Sequence, residues 1–290
     1  GGEGSLLASA GSLIGLGTDM VGSVRIPAAY CGVFGHKPTS GVVPNTGLLP
    51  DVGENMREYN CVGPMTRYSE DLLLVLKVLA GSEAYQLRLE EEVRLERLKV
   101  FFTETDGRVF CSYVTAEARQ AVIKVAYHFK KRVGSNVRPL HVPELPDALS
   151  MWYKVSVAKE PKLFDLEDAH VFTELLLAFT EGARHTVPMV IATTTKASYR
   201  FRNTQEAEAF LAEVDVVRDR LEETLGEDGV LILPAATKTA PYHRQDIYFN
   251  ESPEMTALFS ILKMPATACP VMKSANGLPL AVQVVAKRGN

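Results

Sequence analysis

The order and period of the apolar residues predict an α/β fold, with a mainly parallel sheet covered by helices. Two observations carry that expectation. The apolar run Leu98-Lys99-Val100-Phe101-Phe102 is followed by a helix-period stripe and then by a β-like segment at residues 137–142. Strand, helix and strand in that order make a βαβ unit, which implies parallel pairing. The runs Gly229-Val230-Leu231-Ile232-Leu233-Pro234 and 279–286 also read as buried strands.

Taken along the chain, residues 2–16 mix Gly, Ala, Ser and Leu, with Leu6, Leu7, Leu13 and Ile14 as the apolar members, and suit a helix packed closely on a neighbour. Residues 15–27 read as a Gly-rich loop. Residues 32–64 read as a Pro/Gly/Asn-punctuated stretch that wraps over a core lying elsewhere. A helix is expected over 69–81, with Leu72, Leu73, Leu76 and Leu79 on one face and Gly81 at its end. After a charged stretch at 82–97, Thr115 opens a helix with Ala118, Val122, Val125, Phe129 and Val133 inside, closing at Gly134. A long helix starts after Asn203, whose side chain caps it while Glu206 completes a capping box. Its inner stripe is Phe210, Leu211, Val214, Val217, Leu221 and Leu225. No internal repeat or low-complexity segment is present.

Composition narrows the classes of function. The 290 residues are 46% hydrophobic and 23% charged, with a net charge of -4, so nothing calls for a polyanionic partner such as nucleic acid. The one basic run, Lys130-Lys131-Arg132, falls in the last turn of a helix, where cations suit the dipole. Cys31, Cys61, Cys111 and Cys269 are scattered without a CxxC pair, which favours reduced thiols in an intracellular compartment and disfavours zinc. No signal peptide and no apolar stretch of the ~20 residues that cross a bilayer is present. The start at Gly1 without methionine, and the end just after an apolar run, read as a fragment cut at both ends.

The segment that bears chemistry is GLGTDMVGSVRIPA, residues 15–28. A serine hydroxyl is a weak nucleophile at neutral pH, so it needs a base and donors for the developing oxyanion. A tight Gly-rich turn into Ser23 supplies donors, because the amides of Met20, Val21, Gly22 and Ser23 can face one small space. Thr18, Asp19 and Arg25 are suited to fixing the turn by side-chain hydrogen bonds and an ion pair. Dinucleotide-binding, P-loop and nucleophile-elbow patterns all fail here. On spacing alone, a plain Gly-rich turn between helix and strand is the favoured reading over a catalytic one.

The residues resemble a known family. Gly1-Gly2-Glu3-Gly4, then GTDMVGSVRIPAAYCGVFGHKPT over 17–39, looks like the amidase signature. That signature reads GGSSGGEG, about a dozen small and apolar residues, Gly-Thr/Ser-Asp-x-Gly-Gly-Ser-Ile/Val-Arg-x-Pro-Ala, and then a Cys-Gly…Lys-Pro segment. Cys61-Val62-Gly63-Pro64-Met65 with Glu70-Asp71, the 229–234 run, and Met264-Pro265 through Gly277-Leu278-Pro279-Leu280 resemble later family blocks. Gly35-His36-Lys37-Pro38 and the Pro-rich loop after it look most like the fatty-acid amide hydrolase branch. Residues 82–228 carry much less of the pattern.

The resemblance implies one large α/β domain over 1–290, with a twisted mixed sheet enclosed by helices and with its N-terminal region and last elements absent. It implies a Ser-Ser-Lys amidase acting on linear amides, fatty-acid amides included. In that scheme Ser23 is the nucleophile and the amides of Met20, Val21, Gly22 and Ser23 form the oxyanion hole. The bridging serine and the catalytic lysine match positions upstream of Gly1, so the chain by itself is expected to be inactive. Lys37 matches the Lys-Pro segment, which does not hold the catalytic lysine, and His36 is expected to be structural. His128, His141, His170, His185 and His243 lack an acidic partner at suggestive spacing. The family's first glycine before the nucleophile is Val21 here; if that position needs φ > 0, valine is strained by ~1–3 kcal/mol and the oxyanion hole is impaired.

No metal or organic cofactor is implied. The expected partner is a small-molecule amide or lipid amide. The resemblance adds an intracellular, membrane-associated protein anchored through a segment upstream of this chain, and a homo-oligomer stays open. Trp152, Tyr153 and Phe179 are expected to cover the core or line an acyl pocket. Two other readings stand beside the hydrolase: an amidotransferase A-subunit-like protein, and a non-catalytic interaction or regulatory fragment.

Overall fold

The computed structural model describes residues 1–87, 89–91, 93–107, 114–163, 173–174, 177, 185–242 and 253–290. Cys111, His170, Phe179 and His243 lie outside the described residues. The first part of the chain gives helix α1 (Gly2–Ala8), strand β1 (Ile14–Asp19), helix α2 (Arg25–Cys31), strand β2 (Phe34–Lys37), strand β3 (Cys61–Thr66) and helix α3 (Ser69–Ala80). The βαβ unit follows as β4 (Lys99–Phe102), α4 (Ala116–Val133) and β5 (Val137–Pro139). Helices α5 (Ala148–Lys159), α6 (Val187–Ala197) and α7 (Thr204–Leu225) lead to β6 (Gly229–Pro234). Helix α8 (Glu254–Ile261) and strands β7 (Ala266–Lys273) and β8 (Pro279–Ala286) complete it.

Among the described residues one mixed eight-stranded sheet runs in the order β1-β3-β2-β7-β8-β6-β4-β5. The expected βαβ unit is there: β4 pairs in parallel with β5 and with β6. The expectation of a mainly parallel sheet needs correction, since five of the seven pairings are antiparallel. Three of the five involve β1, β2 and β3, which the sequence hid among glycines and prolines, and the other two set β8 antiparallel to both β6 and β7. In β1 the alternation is inverted: Ile14 and Leu16 are exposed while Gly15 and Asp19 are buried. A Cβ on Gly15 would lie 3.1 Å from Leu7 Cδ1, and one on Gly17 would lie 2.9 Å from Val24 Cγ2. These glycines let α1 and the loop after β1 sit directly on the strand, so they mark close approach and not a break. Likewise a Cβ on Gly63 would meet the His36 carbonyl at 2.0 Å, where β3 passes β2.

Two buried clusters flank the sheet. The larger gathers Val100, Phe101, Leu231, Ile232, Val282 and Val285 with Ala118, Ala121 and Val122 of α4 and Val214, Leu221 and Leu225 of α7. The smaller holds Leu7, Val24, Ala28, Ala29, Val33, Met65 and Ala268. Both expected N-caps form. Thr115 Oγ1 accepts from the Ala118 amide at 3.3 Å, and Asn203 Oδ1 from the Glu206 amide at 2.9 Å. Glu206 reaches back to the amide of Arg202, one residue before the cap. On α3 the buried stripe is Leu72, Val75, Leu76 and Ala80, and Leu73 faces out. Every residue of α8 is buried, and α8 packs against α5. Among the described residues no helix is long and apolar enough to cross a membrane.

Phe259 on α8 is fully buried. Phe259→Ala is expected to cost about 3–5 kcal/mol by cavity formation, whereas Asn203→Ala should cost about 1 kcal/mol through its lost cap. Urea denaturation midpoints of the two variants check the ranking.

Candidate active site

The candidate site is the turn at residues 20–24, where β1 hands over to α2. Asp19, at the end of β1, is completely buried and folds the turn around its carboxylate. Oδ1 accepts from the Gly22 amide at 2.7 Å, and Oδ2 from the amides of Val24 at 3.3 Å and Arg25 at 3.4 Å. The Arg25 guanidinium, also completely buried, binds the same carboxylate in a bidentate fork, Nε and Nη2 each at 2.9 Å. Burial by itself raises the Asp19 pKa, but Arg25, with help from Lys37 and the Val24 amide, more than offsets this and holds it below its ordinary value. Arg25 donates onward to Gln283 Oε1 at 3.1 Å and to Ser260 Oγ at 2.7 Å. Gln283 in turn donates to the carbonyls of Pro234 at 3.2 Å and Met255 at 2.6 Å. One network therefore ties β1, α2, β6, β8 and α8 to the turn.

The carbonyls of the turn are tied back as well. Met20 accepts from Trp152 Nε1 at 3.1 Å, Val21 from Thr256 Oγ1 at 2.5 Å, and Gly22 from the Ile26 amide at 2.8 Å. In a trans peptide the following N–H points opposite to the C=O, so the amides of Val21, Gly22 and Ser23 all face away from these partners. The Gly22 amide is engaged by Asp19, whereas no described residue accepts from the amides of Val21 or Ser23. Ser23 itself is exposed. Of the residues expected to fix the turn, Asp19 and Arg25 do so; Thr18 is exposed on β1.

Val21 does not carry the strain considered for it. Among the described residues the non-glycines with positive φ are Ala10 and Lys263. The demanding conformation sits one residue later, at Gly22, with φ 136°. A Cβ on Gly22 would lie 2.2 Å from Thr256 Oγ1 and 2.7 Å from Ile26 Cδ1, so glycine is needed there for both space and backbone.

A family model described as Amidase matches residues 1–290. The chain is 36% identical over 298 residues to fatty-acid amide hydrolase 2 of Homo sapiens, covering 99% of this chain and 56% of that protein. It belongs to the amidase signature family. Fatty-acid amide hydrolase 2-A of Danio rerio is 33% identical over 301 residues, again across 99% of this chain and 56% of that one. The chain thus spans a little over half the length of these curated relatives. Among solved structures, an amidase superposes with a TM-score of 0.71 at 24% identity, over 99% of this chain and 62% of its own, which shows the shared fold.

Within this amidase-family chain, the two basic candidates near the turn are both occupied elsewhere. Lys37 is completely buried; its Nζ donates to the Pro38 carbonyl at 3.1 Å and lies 3.9 Å from Cys61 Sγ. Burial lowers its pKa. His36 Nδ1 lies 2.8 Å from Thr267 Oγ1. Packing, with Lys37 and Arg25 nearby, pushes the His36 pKa down to about 3, so its ring is neutral. Among the described residues no group of three His, Cys, Asp or Glu is placed to hold a metal ion.

Sequence reasoning missed Trp152, Thr256, Ser260 and Gln283 as parts of the site. Gln283 had a faint signal, since it follows the Gly277-Leu278-Pro279 block that resembles the family. Trp152 was expected as a cover, and does pack edge-on against Tyr153 at 5.3 Å, with Tyr153 stacked on Tyr199 at 5.7 Å. Its indole nitrogen nevertheless ends on the turn. Thr256 and Ser260 carried no signal.

Asp19→Asn leaves Arg25 buried with a neutral partner and is expected to cost about 3–5 kcal/mol in urea denaturation. His36 sets a separate pH dependence. Its folded pKa lies far below its unfolded value, so the stability it contributes is present above about pH 6.5 and falls as pH drops through that value. Asp19, with its lowered pKa, adds a loss only below about pH 4. Denaturation midpoints between pH 7.5 and 4.5 should therefore decline in the wild type and flatten in His36→Gln.

Proposed function

We propose that the protein hydrolyses linear amides, fatty-acid amides among them, through an acyl-serine intermediate on Ser23. The observation that carries this reading is the exposed Ser23 in a turn whose Met20, Val21 and Gly22 carbonyls are held by other groups. Family membership, and the identity to fatty-acid amide hydrolase 2 of Homo sapiens, support the reaction class and the substrate class.

Ser23 Oγ attacks the amide carbonyl carbon, and its proton passes to a base. In this reading the base is the family's lysine acting through its bridging serine; neither matches a residue of this chain, and the 290 residues alone are inactive. The carbonyl oxygen becomes the oxyanion of a tetrahedral intermediate, facing the amides of Val21 and Ser23, with Met20 and Gly22 bounding the same turn. Collapse breaks the C–N bond, the amine leaves with the proton, and water then releases the acid from Ser23. Donors fixed in advance in a turn this rigid need no reorganisation when the charge appears, which is what makes them effective. Residues 1–290 are assigned to one catalytic domain, and membrane association to a segment outside them.

The test uses the complete reading frame that carries this chain. The wild type is expected to label with a fluorophosphonate probe and to hydrolyse a long-chain primary amide, and Ser23→Ala to lose both by at least about 10³-fold. Turnover that persists in Ser23→Ala overturns the reading. Val21→Gly is expected to bring no gain in turnover, since Val21 is unstrained.

A further inference from the structure

We propose that Trp152 and Thr256 are positioning residues for amide cleavage at Ser23: together they hold the peptide planes of the turn so that its free amides face the reacting carbonyl. The inference rests on the Ser23 reading above. It starts from the placement of two side chains that are far away in sequence. Trp152 lies on α5 and is 3% exposed; Thr256 lies on α8 and is fully buried. Each brings a hydrogen-bond donor to a backbone carbonyl of the turn, Trp152 to Met20 and Thr256 to Val21, on successive residues.

The consequence follows from peptide geometry. Between Cα20 and Cα22 the turn has two planar trans units, and each unit moves as one body. Fixing the Met20 carbonyl onto the indole fixes the Val21 N–H in the opposite direction. Fixing the Val21 carbonyl onto Thr256 fixes the Gly22 N–H, which is seen to donate to Asp19 at 2.7 Å. Gly22 takes up φ 136°, a conformation open to glycine, and is held there by its own N–H to Asp19 and by its carbonyl, which accepts from the Ile26 amide. Thr256 restrains it from the side that a Cβ would otherwise fill, its Oγ1 being 2.2 Å from that position. Thr256 Oγ1 also lies 3.0 Å from the Pro253 carbonyl, but the Val21 carbonyl is nearer at 2.5 Å. The Asp19–Arg25 pair holds the base of the turn, and Trp152 with Thr256 hold its crown. The two positioning residues stand on helices packed against each other, so their spacing is set by that helix contact and is independent of the turn.

Loss of this restraint acts on the transition state, where the oxyanion needs correctly aimed donors, and leaves ground-state binding nearly unchanged. The experiment compares Thr256→Val, which keeps shape and drops the hydroxyl, with Thr256→Ser, which keeps the hydroxyl. At position 152 it compares Trp152→Phe with incorporation of 3-benzothienylalanine, which keeps the bicyclic shape and replaces N–H by sulfur. All are made in the complete reading frame, with Ser23→Ala alongside and a long-chain primary amide as substrate. Thr256→Val and the benzothienyl variant are expected to lose about 10-fold or more in kcat, against about 10²–10³-fold for outright loss of an oxyanion donor. KM should stay within about 3-fold, fluorophosphonate labelling should slow in parallel, and Thr256→Ser should restore most of kcat. Unchanged kcat in both donor-less variants, or a loss seen in KM alone, overturns the inference while a dead Ser23→Ala leaves the nucleophile assignment standing. Wild-type turnover in Ser23→Ala overturns both.

Discussion

The structure depends on one buried ion pair. Asp19 and Arg25 are completely removed from water and separated by only six positions along the chain. Such a pair carries a desolvation cost that its own attraction barely offsets. Here the remaining hydrogen-bonding capacity is used: Asp19 takes three amides of the turn, and Arg25 reaches Gln283 and Ser260. The pair therefore contributes shape more than stability. It fixes where β1 ends, where α2 begins, and how the five residues between them are folded.

The rest of the architecture serves that knot. Helix α8 lies wholly inside the molecule, an expensive position for a helix unless every polar group finds a partner. Thr256 and Ser260 lie one helical turn apart on it, and both face the turn. Strand β8 delivers Gln283 from the middle of the sheet, where the side chain joins Arg25 to the carbonyls of Pro234 and Met255. The antiparallel half of the sheet has its own use. It lets β1 enter along one edge with Gly15 and Gly17 facing inward, so that α1 and Val24 pack close to the strand.

This placement also separates two kinds of buried cation. Arg25 is a fixed charge with a matched carboxylate. Among the described residues Lys37 has a carbonyl at 3.1 Å and a thiol at 3.9 Å as its hydrogen-bond partners, and burial lowers its pKa. A neutral His36 beside them keeps a further positive charge out of the same space. The electrostatics of the region thus centre on Asp19, a buried carboxylate with which both Arg25 and Lys37 interact.

What the sequence determined by itself is local in cause. The apolar period placed β4, α4, β6, α7 and β8, and the capping residues Thr115 and Asn203 act where side chain and backbone are neighbours. The run from Gly17 to Arg25 was legible only through its resemblance to the amidase signature, since its spacing alone fits a plain Gly-rich turn; that the demanding glycine is Gly22, at φ 136°, came from the structure. The β1–β3 hairpin-like edge was not legible, because its glycines are chosen for a close approach by α1 and Val24 that no local pattern encodes. Only the tertiary structure decided which distant groups meet the turn. Trp152, Thr256, Ser260 and Gln283 lie between 132 and 258 positions from their partners. Their roles arise from helix and sheet packing, where one hydrogen bond leaves no period, spacing or composition for a sequence to show.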